Sequence, residues 1–167
     1  QGYSSAASDV YKRQLFTGPP FDQSRDAECA RIFRDFRGTR VISGGTSAEI
    51  ISRELHRPLT IDLAAAGDLP PPSHMEGADL VTEGIFTLSR AARYLENGEQ
   101  SHLDPAGRLA ELMRRHDVID FLVGTRINEA HQDPNLPVDL ELRRNIVKRL
   151  ADVLRNRYMK EVNIHFV

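Results

Sequence analysis

The feature that most constrains this chain is a recurring unit: a short apolar run, a glycine–hydroxyl step, and then a helix-patterned segment. It occurs at Leu15-Phe16-Thr17-Gly18, at Val41-Ile42-Ser43-Gly44-Gly45-Thr46-Ser47 and at Val118-Ile119-Asp120-Phe121-Leu122-Val123-Gly124-Thr125. Such short runs, bounded by turn residues, read as strands buried in a sheet. Strands that alternate with helices of ten or more residues predict a three-layer α/β fold: a mainly parallel twisted sheet with helices on both faces. The terminal run Val162-Asn163-Ile164-His165-Phe166-Val167 alternates like a strand and is expected at an edge, where it could run antiparallel.

The helical segments carry their own punctuation. Cys29, Ile32, Phe33 and Phe36 recur at helical spacing, and Gly38 stands where a stop is expected. Thr46 or Ser47 can cap the next helix, which carries Ile50, Ile51 and Leu55 and ends before Pro58. Residues 59–63 alternate like a strand, and residues 68–77, with Pro70-Pro71-Pro72, read as loop. An apolar step at 78–81 leads into a helix expected over 82–95 and closed by Asn97-Gly98. Asp104-Pro105 is a helix start, with Leu109, Leu112 and Met113 inward. A loop over 126–137 precedes a long helix with Leu142, Ile146, Leu150 and Val153 on one face.

The 167 residues, net charge of -2, and 40% hydrophobic and 28% charged content fit one ordinary globular domain without a field for nucleic acid. No run is long and apolar enough for a membrane helix. The one cysteine, Cys29, cannot form an internal disulfide, so a reducing, cytoplasmic setting is the default. It lies on an apolar helix face and reads as inert packing. Residues 1–14 stand apart. Ser4-Ser5-Ala6-Ala7-Ser8-Asp9-Val10-Tyr11-Lys12-Arg13-Gln14 matches a translated sequencing-library adaptor and lacks the order of a targeting signal. Native sequence is therefore expected to begin near Leu15, as one domain over 15–167 cut from a larger protein.

In an open parallel sheet, the carboxyl ends of the strands line one edge, and ligands bind in the crevice there. Thr17, Gly18, Gly44, Gly45, Thr46, Ser47, Gly124 and Thr125 are accordingly the candidate ligand-binding residues. Glycine lets the backbone approach a ligand, and hydroxyls with helix-start amides favour an oxyanion. The pattern is neither the Walker nor the Rossmann fingerprint. Thr82-Glu83-Gly84 repeats it, with Glu83 read first as helix-dipole compensation and second as a ligand contact. Asn128 and His131, in the polar loop after the best strand, complete the set. No catalytic grouping can be assigned, and His74, Glu76 and Asp79 match no metal signature. The basic residues of the long helix read as a solvated or docking face, not as a nucleic-acid surface.

Several stretches together resemble the C-terminal region of bacterial stage II sporulation protein E-like serine/threonine phosphatases. They are residues 15–20, Val41 through Ile51, Glu76-Gly77-Ala78-Asp79-Leu80-Val81-Thr82-Glu83-Gly84-Ile85, and Phe121-Leu122-Val123-Gly124-Thr125-Arg126-Ile127-Asn128. His131-Gln132-Asp133-Pro134-Asn135-Leu136-Pro137 and Glu141-Leu142-Arg143-Arg144-Asn145-Ile146-Val147 complete the match, in order, over 15–167. The resemblance implies a hydrolase that removes phosphate from phosphoserine or phosphothreonine with Mn or Mg held in an upstream domain. None of that domain's metal-binding Asp–Gly motifs is present here, so the chain itself is expected to need no cofactor. Its role would be regulatory or ligand-binding, with the upstream phosphatase domain as partner. The alternative is a doubly wound protein that binds an anionic small molecule or nucleotide at the Gly/Thr edge. A purely structural interaction domain is a third reading.

Overall fold

The computed structural model describes residues 11–65, 67–100, 102–126 and 136–167. Seven strands form one sheet in the order β3-β4-β5-β2-β1-β6-β7. They are β1 (Lys12–Thr17), β2 (Thr39–Ser43), β3 (Thr60–Ile61), β4 (Ser73–His74), β5 (Leu80–Thr82), β6 (Val118–Val123) and β7 (Glu161–Phe166). Among the described residues, five α-helices and a short 3-10 helix (Gln23–Arg25) connect them: α1 (Asp26–Asp35), α2 (Gly45–Leu55), α3 (Ile85–Asn97), α4 (Pro105–Arg115) and α5 (Leu136–Asn156). The expected three-layer α/β architecture is present.

Strands β5, β2, β1, β6 and β7 are mutually parallel. The antiparallel pairings are those of β4 with β3 and with β5, at the opposite edge from the one anticipated. Strand β7 lies at an edge but runs parallel to β6. The reason is the connection: α5 carries the chain back along the sheet, and a helical crossover returns a strand in the parallel sense.

Strand alternation divides the core into two faces. Leu15, Val41, Leu80, Ile119 and Phe121 point to one face and pack with Leu88, Leu95, Leu109, Met113 and Leu150 of α3, α4 and α5. Phe16, Ile42, Val81 and Leu122 point to the other, against Cys29 and Phe33 of α1 and Ala48 and Ile51 of α2. Burial pushes the Cys29 thiol pKa upward, which suits a packing role. From β1 the chain moves first toward β2 and later, from β5, back to the far side of β1. Right-handed crossovers in opposite directions put their helices on opposite faces and make β1/β6 the topological switch point.

Some local expectations are corrected. Ile32 and Leu142 are exposed rather than inward. Only Thr60 and Ile61 of the 59–63 run pair in the sheet, and Leu63 is exposed. The proline-rich segment contains β4, and α3 begins at Ile85, because Thr82 is spent as the last residue of β5. The helix starting at Pro105 is as read, with the Asp104 carboxylate accepting from the Gly107 amide at 2.7 Å. Helix α5 begins at Leu136, inside the segment read as loop.

The first half of β1 fits its surroundings poorly. Arg13 is fully buried, and its Nε and Nη1, like Oε1 of Gln14, have no partner among the described residues. Its Nη2 lies 3.1 Å from His116 Nδ1, but that nitrogen sits 2.6 Å from the Leu112 carbonyl. An Nδ1–H that donates to Leu112 cannot also accept from Arg13, so the guanidinium faces a donor. Nε2 is left to accept from the Thr39 hydroxyl at 2.7 Å. Burial pushes the Arg13 pKa down to about 9, opposed by the charge of Asp79. At neutral pH the group is still charged, so the desolvation penalty is borne in full.

Two predictions follow from this cluster. Replacing Arg13 with leucine, which is similar in volume, is expected to stabilise the fold by about 1–4 kcal/mol, read as a higher midpoint in urea denaturation. Burial, and secondarily the Arg13 charge, hold the His116 pKa below its ordinary 6.5. The unfolded chain therefore binds this proton first as pH falls. Stability present above 6.5 is expected to be lost on acidification from about pH 7.5 to 5.5, and a rise over that window would contradict the assignment.

Candidate functional site

The candidate site is a cleft of about 220 Å³ at the carboxyl edge of the parallel strands. Thr17, Gly18 and Pro19 follow β1, Ser43 to Ser47 follow β2, and Glu83, Gly84 and Ile85 follow β5; Arg126 and Arg143 close it. The strands arrive level because their ends are in register: Thr17 pairs with Val123, and Ser43 with Thr82. The ladder extends one step beyond the strands, with the Gly124 amide donating to Thr17 O at 2.8 Å and the Gly44 amide to Thr82 O at 2.9 Å.

Neither Thr46 nor Ser47 caps α2. Gly44 takes that position at φ 132°, a conformation that favours glycine, and no side chain caps the helix. Gly84 likewise precedes α3 with no side-chain cap. The first intrahelical bonds run from Ala48 to Gly44 and from Leu88 to Gly84, so the earlier amides of each helix have no intrahelical acceptor. The two starts abut: a Cβ placed on Gly84 would lie 3.5 Å from Gly44 Cα. Two partial positive charges, each roughly half an elementary charge, therefore meet at one cleft.

At the base of the cleft, Ser47 is 1% exposed, and its Oγ has no partner among the described residues. Gly45 stands at the mouth, where an added Cβ would meet nothing within 4 Å. Arg143 donates from Nη1 to the Gly124 carbonyl at 3.1 Å. Arg126 Nη1 lies 4.0 Å from the buried carboxylate of Asp26, which also accepts from Arg53 at 2.7 Å. Arg143 is thus anchored by a hydrogen bond, and Arg126 is drawn toward Asp26 by charge alone.

Of the residues expected at the site, Thr17, Gly18, Gly44, Gly45, Thr46, Ser47 and Glu83 line this cleft. Thr82 lies behind its floor, its hydroxyl donating to Ser43 Oγ at 3.2 Å, which in turn donates to the Glu83 carbonyl at 3.1 Å. Thr125 is turned to the last residue, with both its amide and hydroxyl on the Val167 carbonyl. Gly124 is where backbone packs on backbone, since a Cβ there would collide with the carbonyl oxygens of Gly18 and Pro19. Asn128 and His131 lie outside the described residues. Sequence reasoning missed Arg126 and Arg143. Arg126 follows Gly124-Thr125 directly and was within reach, whereas Arg143 comes from the side of a helix.

A larger hollow of about 630 Å³, lined by Phe86, Arg90, Arg93 and Arg149, is less suited to a ligand. Its cations are engaged, Arg90 with Asp68 at 2.8 Å and Arg149 with Glu96 at 2.7 Å, while Arg93 lies over the Tyr94 ring. No group of three His, Cys, Asp or Glu able to hold a metal occurs among the described residues. No described helix is long and apolar enough to cross a membrane.

The contrasting glycines give a stability prediction. Gly124→Ala is expected to cost about 1–3 kcal/mol through the backbone collision, whereas Gly45→Ala should leave the thermal midpoint unchanged or slightly raised. Equal effects in thermal melts would contradict this division of roles. No family model, curated protein or solved structure matches the chain.

Proposed function

We propose that this chain is a ligand-binding domain that holds the oxyanion of a small molecule at the carboxyl edge of its sheet. The observation that carries this reading is the meeting of two helix starts, both capped by glycine rather than by a side chain, beside Arg126 and Arg143. A side-chain cap would occupy the amides; glycine leaves them for a ligand. Charge-assisted bonds from arginine and backbone amides are the strongest available to a phosphoryl or carboxylate group. Ser47 Oγ adds a hydroxyl donor at the base.

Volume limits the ligand. Sites for drug-sized molecules span about 300–1,000 Å³, so a cleft of about 220 Å³ takes an oxyanion with a small remainder. A whole nucleotide would leave its base and sugar outside the described walls, which favours a compact ligand over the nucleotide alternative.

The biological setting we propose is an accessory domain of a metal-dependent serine/threonine phosphatase. The resemblance over residues 15–167 supports that setting, and the cleft would let a small anion bias the neighbouring catalytic domain. Catalysis would belong to the upstream domain, where Mn or Mg would generate the attacking hydroxide.

Two measurements test these statements separately. Titration with inorganic phosphate by calorimetry is expected to give a Kd on the order of 1 mM or tighter, and Gly45→Val should abolish binding without unfolding the chain. Binding that survives Gly45→Val places the ligand elsewhere. Incubation with Mn²⁺ and p-nitrophenyl phosphate should give no turnover, and robust metal-dependent hydrolysis by this chain would overturn the accessory role.

A further inference from the structure

The cleft contains one group that a simple oxyanion does not satisfy. Glu83 lines it, and Oε2 of its carboxylate is buried with no partner among the described residues. A carboxylate only accepts hydrogen bonds, so Oε2 demands a donor. Two arginines share the cleft: Arg143 Nη1 donates to the Gly124 carbonyl at 3.1 Å, and Arg126 Nη1 lies 4.0 Å from the Asp26 carboxylate. The Glu83 backbone is fixed as well, since its carbonyl accepts from Ser43 Oγ at 3.1 Å. Ser47 presents the opposite case, a hydroxyl at the cleft base that is 1% exposed and free to donate.

Resting on the oxyanion reading above, we infer that the ligand carries its own hydrogen-bond donor. The oxyanion would lie on the helix starts, Ser47 and the arginines, while a ligand hydroxyl or ammonium donates to Glu83 Oε2. Hydrogen phosphate meets both demands through its P–OH, and so does a small phosphomonoester with a nearby hydroxyl. Sulfate and methyl phosphate, as dianions, satisfy the donors of the cleft but leave Glu83 facing a lone pair. A buried polar group left unpaired is what gives a binding site sharp discrimination between ligands of equal size and charge. Glu83 is thus assigned as the specificity-determining residue, a role beyond compensating the dipole of α3.

The test is a set of calorimetric titrations of the full chain in mildly alkaline buffer, where all four anions are dianionic. Hydrogen phosphate is expected to bind at least about tenfold tighter than sulfate, or glycerol 3-phosphate at least about tenfold tighter than methyl phosphate. The first difference places the donor on the phosphorus, and the second places it on the remainder. Glu83→Gln, nearly isosteric and able to donate through its amide, should reduce the difference to under about threefold by improving the donor-free anions. Equal affinities within both pairs for the unaltered chain overturn the inference while leaving the oxyanion site standing. So does discrimination that persists in Glu83→Gln. If none of the four anions binds, the oxyanion site falls and the inference falls with it.

Discussion

The site depends on one constraint: the ends of β1, β2, β5 and β6 must come level and close along a single edge. Backbone contact enforces this. Gly124 packs against the carbonyl oxygens of Gly18 and Pro19, where a side chain would hold the loops apart, and Gly84 approaches Gly44 within van der Waals range. The Gly124 and Gly44 amides extend the parallel ladder beyond the last strand residues. Because the loops are fixed by main-chain bonds, the uncapped helix starts are held at the cleft without relying on a flexible side chain. Such preorganisation lowers the ordering cost of binding.

Electrostatics then follows from the topology. The reversal of strand order at β1/β6 places α2 on one face and α3 on the other, and both helices start at the same edge. Neither start is capped by a side chain, so two helix dipoles add at one place. Arg126, after β6, and Arg143, from α5, add two cations to the cleft, with Arg143 anchored on the Gly124 carbonyl and Arg126 4.0 Å from the Asp26 carboxylate. The result is a small concentration of donors with a single carboxylate among them.

The fold was legible because its cause is local: period-2 apolar runs, helix-period segments, and turns marked by glycine and proline. The edge residues Gly18 and Gly44 to Ser47 were legible for the same reason, since glycine and hydroxyls after a buried strand have few other uses. What failed were statements that depend on neighbours. Thr82 and Thr125 have the right chemistry in the right loops, yet one is drawn to Ser43 and the other to the Val167 carbonyl, and no local pattern predicts such partners. The direction of β7 was likewise set by the crossover through α5, not by its own residues. Leu142 shows the limit of periodicity, because it continues an apolar stripe past the point where α5 leaves the core.

The contrast between the two halves of β1 bears on how much of the structure is tuned. Leu15, Phe16 and Thr17 are buried with matched surroundings, and they lead directly to the cleft. Arg13 and Gln14, immediately before them on the same strand, bury three polar atoms with no partner among the described residues. Strand geometry alone explains why both halves form: the ladder to β2 and β6 uses main-chain groups and is indifferent to the side chain. Packing is not indifferent, because a buried guanidinium facing a donor costs stability that a similarly sized apolar group would not. The orphaned groups at Arg13 and Gln14 and those at Ser47 and Glu83 therefore have different meanings. At Arg13 the orphaned groups lie deep at the start of a strand, away from any cleft residue, and are a liability of the fold. At Ser47 and Glu83 they are buried in the lining of the cleft at the strand ends, among hydroxyl and arginine donors, where a ligand can complete them.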